Sequence, residues 1–100
     1  MSFPTELNDQ AIKVTGENRT RLNIIADILE VAMEEALKTH IMYRANLSHA
    51  QLTSYLNSLL ELGFLAVVEY PTESRPRYKV TEKGLQFLKD YARLNRLLSR

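Results

Sequence analysis

The chain has 100 residues, of which 45% are hydrophobic and 25% charged, with a formal net charge of +1 and no cysteine. That composition describes one globular domain with a small core; it excludes disulfides and thiolate metal sites and fits a reducing cytosol. No apolar run is long enough to cross a bilayer, and no charged n-region leads an apolar stretch at Met1, so neither a membrane span nor a secretion signal is expected.

Residues 1–19 are broken up by Pro4, Gly16 and several Asn, Asp and Thr residues. Leu7, Ile12 and Val14 suit either a short helix or a strand, and the segment reads as an N-terminal arm. A first helix is expected from about Thr20 to Leu37. Leu22, Ile25, Leu29, Ala32 and Ala36 recur at helical spacing on one face. Ile24, Ile28 and Val31 widen that face, which suggests burial against both the core and a partner subunit. Asp27, Glu30 and Glu34 line the opposite, solvated face.

The stretch KTHIMYRANLSHAQLTSYLNSLLELG, residues 38–63, holds the clearest local signals. A short second helix is expected from about Thr39 to Ala45, with Ile41 and Met42 inward, Tyr43 beside them, and Arg44 as the exposed base. His40 reads as a surface residue, because two histidines without cysteine or clustered carboxylates give no metal spacing. A corner at Asn46-Leu47 follows. Ser48 is then an N-cap, with Gln51 completing a capping box and Leu47 and Leu52 placed for a hydrophobic staple. The third helix, Ser48 to Leu62, is expected to bury Leu52, Leu56, Leu59 and Leu60. Ala50, Thr53, Ser54, Asn57, Ser58 and Glu61 fall on its other side. Gly63 stands where a left-handed C-terminal residue is wanted, and Phe64 can fold back on Leu59.

Leu65 to Tyr70 is a β-branched and aromatic run, and Tyr78 to Val80 a second strand. The loop Pro71-Thr72-Glu73-Ser74-Arg75-Pro76 joins them as a hairpin with an extended tip. Alternation puts Tyr78 and Val80 on one face and Arg77 and Lys79 on the other, so that with Arg75 three bases line one edge. Thr81 caps a last helix running to near the end of the chain, with Glu82 in its first turn and Val80 and Leu85 as a staple. Leu85, Leu88 and Ala92 face the core. Phe87, Tyr91, Leu94 and Leu98 repeat as a heptad seam, which suggests a homodimer formed through this helix.

Charge is unevenly spread. Residues 1–37 carry seven acids against three bases, whereas residues 75–100 carry eight bases against two acids. A polyanion partner for one side of the molecule is the functional reading of that asymmetry. The order helix, helix, turn, helix, hairpin, helix is that of a winged helix-turn-helix domain, and its chemistry suits duplex DNA. The small polar face of the third helix can enter the major groove. There Asn57 and Gln51 carry amides able to pair with adenine, although the capping box also claims Gln51. Thr53, Ser54 and Ser58 reach bases or phosphates. Arg75, Arg77 and Lys79 meet phosphates or the minor groove. The free N–H groups near His49 and Ala50 can receive a phosphate.

Three segments, KTHIMYRANLS, YLNSLLELGFL and RYKVTEKGLQFL, resemble those of the small archaeal winged-helix proteins, among them chromatin-associated ones that dimerise by a C-terminal coiled coil. Related domains occur in archaeal regulators and archaeal viruses. The resemblance covers about Leu22 to Asp90. It implies that Ser48 to Leu62 is the recognition helix, Pro71 to Pro76 the wing, and the last helix the dimer element. Two features depart from that family: the last helix is shorter than a long coiled coil, and the recognition helix carries no Lys or Arg.

The expected architecture is α+β, mainly α, with an arm at 1–19, a winged helix-turn-helix domain at 20–80 (three helices and a two-stranded wing), and a dimerisation helix at 81–100. The expected function is sequence-selective or architectural binding of double-stranded DNA by a homodimer, as a cytoplasmic, nucleoid-associated regulator or chromatin protein. The expected DNA-binding residues are Arg44, Ser48, His49, Gln51, Thr53, Ser54, Asn57, Ser58, Arg75, Arg77 and Lys79. The seam residues Phe87, Tyr91, Leu94 and Leu98 form the expected dimer interface. The rival reading is a protein-interaction module that does not touch DNA. No enzyme is expected, because the chain has no glycine-rich phosphate loop and no nucleophile–base pair; no cofactor, metal or membrane partner is expected either.

Overall fold

The computed structural model describes residues 20–99; the expectations for the arm at 1–19 and for Arg100 lie outside them. In chain order the elements are α1 (Arg21–Val31), β1 (Ala36–Leu37), α2 (Lys38–Ala45), α3 (His49–Leu62), β2 (Leu65–Val68), β3 (Arg77–Val80) and α4 (Glu82–Leu98). A short 3-10 turn, Ala32–Glu34, separates α1 from β1. The strands form one antiparallel sheet in the order β1-β3-β2. This is the winged helix-turn-helix order of elements, mainly helical with a small sheet.

Each long helix starts on a side-chain cap. Thr20 Oγ1 accepts the backbone N–H of Asn23, and Asn23 Oδ1 accepts that of Thr20. Ser48 and Gln51 make the same reciprocal box at the start of α3. Thr81 Oγ1 accepts the Gly84 N–H and donates to the Gly63 carbonyl, so it ties the start of α4 to the end of α3. Caps of this kind contribute about 1 kcal/mol each by satisfying otherwise orphaned donors.

The core lies between α1, α2, α3 and the inner face of the sheet. Ile28, Leu29, Ile41, Leu52 and Leu59 are its largest fully enclosed side chains, each contributing roughly 1.5–3 kcal/mol on burial. Leu56, Leu65 and Val80 join them, and Leu85, Phe87 and Leu88 of α4 pack on the same cluster. The first half of α4 therefore belongs to the domain core.

The first helix is shorter than the expected span to Leu37. It ends at Val31, and Glu35 adopts φ 40. Ala36 and Leu37 then pair with Tyr78 and Arg77, which makes the wing sheet three-stranded. Ala36 is buried as expected, but on a strand. Pairing with β3 outweighs helical periodicity here, because it satisfies backbone groups that continued helix would leave facing the sheet. Positive φ at a non-glycine residue costs about 1–3 kcal/mol. Tyr70 Oη, which donates to Glu35 Oε1 at 2.6 Å, helps to hold that bend.

Four burial expectations also change. Tyr43 is 82% exposed, not beside Ile41, since it lies two residues and therefore about half a turn round α2. Leu22 at the start of α1 is exposed, and Leu60 is only half-buried. Ala92 is exposed, because α4 has by then run past the core. Finally, β2 stops at Val68, short of Tyr70, where the chain bends into the turn before Pro71, and β3 begins at Arg77.

Candidate nucleic-acid interface

The helix pair at the centre is set by two left-handed residues. At the end of α2, Asn46 takes φ 58 and ψ 53. Its N–H bonds the Tyr43 carbonyl, and the Leu47 N–H bonds that of Met42. This paired closure is a Schellman motif, and asparagine tolerates the left-handed position better than most residues. At the end of α3, Gly63 has φ 82, and the N–H groups of Gly63 and Phe64 close on Leu60 and Leu59. Lys83 Nζ donates to the Leu62 carbonyl at 2.9 Å and lies 5.8 Å from the centre of the Phe64 ring. The positive group thus satisfies a carbonyl at the negative end of α3.

On α3, the residues singled out from the sequence divide by what they already do. Ser48 and Gln51 hold the capping box, so their side-chain oxygens are engaged. Thr53 is half-buried and donates its hydroxyl to the His49 carbonyl. His49, Ser54, Asn57 and Ser58 are exposed. Among the described residues, no side-chain hydrogen bond occupies Ser54, Asn57 or Ser58. Their spacing puts all three on one helix face. The result is a small, uncharged surface whose donors and acceptors are open.

The wing is a β2–β3 hairpin, with Leu65 opposite Val80 and Val68 opposite Arg77. Its turn is closed by the Glu73 N–H, which bonds the Tyr70 carbonyl at 3.0 Å. Pro71 occupies the second position of that turn, where its fixed φ is favourable. Lys79 and Arg77 are two apart on β3 and point to the same outward side. Arg75 and Lys79 are exposed and, among the described residues, form no ion pair. Arg77 differs. Its Nε and Nη2 meet both oxygens of Glu73, at 2.9 and 3.3 Å. That contact holds the Glu73 carboxyl below the usual glutamate range and lifts the Arg77 guanidinium. The bond to Glu35 likewise raises the Tyr70 phenol.

Arg44 sits in the last turn of α2 and lines a cleft of about 510 Å³ with Asp27, Glu30, Val31, Met33, Glu34 and His40. Its surroundings are therefore acidic, unlike those of the wing bases. Among the described residues, no group of histidines and carboxylates is arranged to hold a metal ion, and no helix is long and apolar enough to cross a membrane.

The four seam residues of α4 do not share one environment. The Phe87 ring packs on Phe64, with centroids 5.5 Å apart, and stacks on Tyr91. Asn23 Nδ2 donates to Tyr91 Oη, so the cap of α1 is tied to α4. Leu94 and Leu98 are 46% and 60% exposed, and Leu97 beside them is 71% exposed. The first half of the seam is engaged by the chain itself, and the second half is an open apolar strip.

Sequence reasoning missed the partners Glu73 and Lys83. The four-residue separation of Glu73 from Arg77 across a proline turn was the available signal for the first. No local pattern marks the second, which reaches back 21 residues.

Comparison with known proteins places these features in context. Residues 18–99 match the family model described as winged helix-turn-helix. An uncharacterized protein of Methanocaldococcus jannaschii is 28% identical over 85 residues, covering 84% of this chain and 81% of its own. Among solved structures, Sso10a-2, a DNA-binding protein from Sulfolobus solfataricus, superposes with a TM-score of 0.70 at 24% identity, over 79% of this chain and 81% of its own. The PcaV transcriptional regulator from Streptomyces coelicolor superposes with a TM-score of 0.65 at 18% identity, over 97% of this chain and 81% of its own.

Proposed function

Since the chain belongs to the winged helix-turn-helix family, we propose that it binds double-stranded DNA as a homodimer and serves as a transcription regulator or a nucleoid-associated chromatin protein. The observation that carries this reading is the open polar face of Ser54, Asn57 and Ser58 on α3, followed in the chain by a wing whose Arg75 and Lys79 are exposed and unpaired. The DNA-binding and regulatory descriptions of Sso10a-2 and PcaV support it.

In this reading α3 lies in the major groove, where each base pair presents a distinct donor and acceptor pattern. Asn57 carries the one unoccupied amide on the face and pairs with the N6 and N7 edge of adenine, a contact that discriminates by about 1–3 kcal/mol. Ser54 and Ser58 hydrogen-bond bases or phosphates at the margins. Arg75 and Lys79 neutralise phosphates and supply most of the affinity, while Arg77 behind them is engaged by Glu73. Backbone N–H groups at His49 and Ala50 face a further phosphate. Ser48, Gln51 and Thr53 act mainly by holding α3 in shape. Arg44 has the weakest case for direct contact, since Asp27 and Glu30 of α1 line the same cleft. The open strip of Leu94, Leu97 and Leu98 meets its copy in the dimer, and two recognition helices then read half-sites about 34–36 Å apart.

The uncharged face of α3 favours a second reading, a protein-interaction module. Duplex binding measured across a salt series separates the two. Under the DNA reading, Arg75→Ala lowers the slope of log affinity against log salt by about one unit. Asn57→Ala relaxes preference at one base pair and leaves the slope unchanged. Absence of duplex binding even at low salt selects the interaction module.

A further inference from the structure

We propose that Glu73 is a built-in counterion that withholds Arg77 from DNA phosphate, so that this one acid sets how tightly the wing grips the duplex. The inference rests on the reading of the hairpin as a DNA-contacting wing and adds a determinant of its strength.

The geometry is that of a phosphate contact already filled. Arg77 uses Nε and Nη2 together, and Glu73 answers with both carboxylate oxygens. This two-pronged arrangement is the one by which arginine grips phosphate. An exposed ion pair is usually weak, because two long side chains must be held in one geometry. Here the backbone does much of the holding. Glu73 is fixed by the turn its own N–H closes on Tyr70. Tyr70 is in turn held by Glu35. Arg77 is on the central strand of the sheet, opposite Val68 on one side and Leu37 on the other. Glu35 adds a second carboxylate whose field acts on Arg77.

Arg75 and Lys79 have no such partner, so two of the three wing bases are free to meet phosphate. A phosphate seeking Arg77 must displace one carboxylate and approach a second. The wing is thereby held to moderate affinity although its sequence counts three bases.

Equilibrium binding to one duplex across a salt series tests this, with thermal melts on the same samples. Glu73→Gln removes the charge and nearly keeps the shape. It should steepen the salt slope by about one unit, since one more phosphate is neutralised, and tighten binding several-fold to about tenfold at low salt. Glu69→Gln makes the same charge change at an exposed neighbour with no ion pair among the described residues, and should give only a small through-space gain. In an Arg77→Gln background, Glu73→Gln should lose its slope gain.

The proposal is overturned if Glu73→Gln matches Glu69→Gln, if the gain survives in the Arg77→Gln background, or if Glu73→Gln weakens binding. That last outcome would mean Glu73 orients Arg77 for contact. If wild type and all variants fail to bind duplex at the lowest salt, the DNA reading itself falls and takes this inference with it.

Discussion

Gly84→Ala tests the junction where α3, the wing and α4 meet. A Cβ built on Gly84 would come within 2.4 Å of the Phe64 carbonyl oxygen and 2.6 Å of Val80 Cγ2. The first contact is with backbone, which has little room to give, because the same carbonyl accepts the Thr81 N–H at 3.0 Å. Relief requires α4 to lift away from the 63–65 segment. Overpacking of this kind costs about 1–3 kcal/mol, and weakening the Thr81 hydrogen bond adds up to about 1 kcal/mol. Against this stands a gain of at most about 1 kcal/mol for replacing glycine by alanine inside a helix. The net expectation is a loss of about 1–3 kcal/mol, and each kcal/mol lowers the melting temperature of a domain this size by roughly 4–8 °C. The assay is thermal and urea unfolding followed by circular dichroism, at matched protein concentration so that any dimer contributes equally. A Gly84→Ala protein as stable as wild type would refute the argument, since helix propensity alone predicts stabilisation.

Ser48→Ala removes the acceptor for the Gln51 N–H and leaves only the half of the box in which the residue-48 backbone N–H donates to Gln51 Oε1; urea unfolding should show a loss of about 1 kcal/mol. Leu94→Glu combined with Leu98→Glu should leave the monomer folded, because both side chains are already exposed, while shifting the proposed dimer to monomer in sedimentation velocity; an unchanged profile, or a wild type that already sediments as a monomer, would contradict a dimer formed through this strip. The Glu73 carboxyl titrates below its unfolded value, chiefly through the hydrogen bond from Arg77. Its contribution to stability is therefore present above the ordinary glutamate range and disappears as pH falls through the depressed folded value. The difference in unfolding midpoint between wild type and Glu73→Gln should shrink over that acid window; a difference constant from neutral pH to below it would contradict the ion pair.

How much could be read without the fold depended on how far each interaction reaches along the chain. The caps at Thr20, Ser48 and Thr81 and the left-handed positions at Asn46 and Gly63 involve partners three to five residues away. Local residue choice alone specifies such contacts, which is why the helix–corner–helix core of the site was legible. The face carrying Ser54, Asn57 and Ser58 followed from helical periodicity for the same reason. The state of the individual side chains on it was less visible, because periodicity gives direction and not occupancy. Thr53 shares the outer side with Ser54, yet its hydroxyl is engaged by His49.

Tertiary structure decided the rest. Helical spacing carried the first helix on to Leu37, but Ala36 and Leu37 had a better use opposite Tyr78 and Arg77, some forty residues on in the chain. That pairing forced the bend at Glu35, and the bend presented Glu35 to Tyr70. Likewise, the heptad pattern of α4 is indifferent to whether its partner is a second chain or α1. Asn23 and Phe64 settled this for Tyr91 and Phe87 and left Leu94 and Leu98 open. Residue order by itself determined which helices form, where they stop at Asn46 and Gly63, and which bases the wing carries, since these depend on neighbours within a turn or two. Which of those bases are free to meet a phosphate was decided only when Glu73 and Arg77 were folded onto the same hairpin, because an ion pair depends on distance in space.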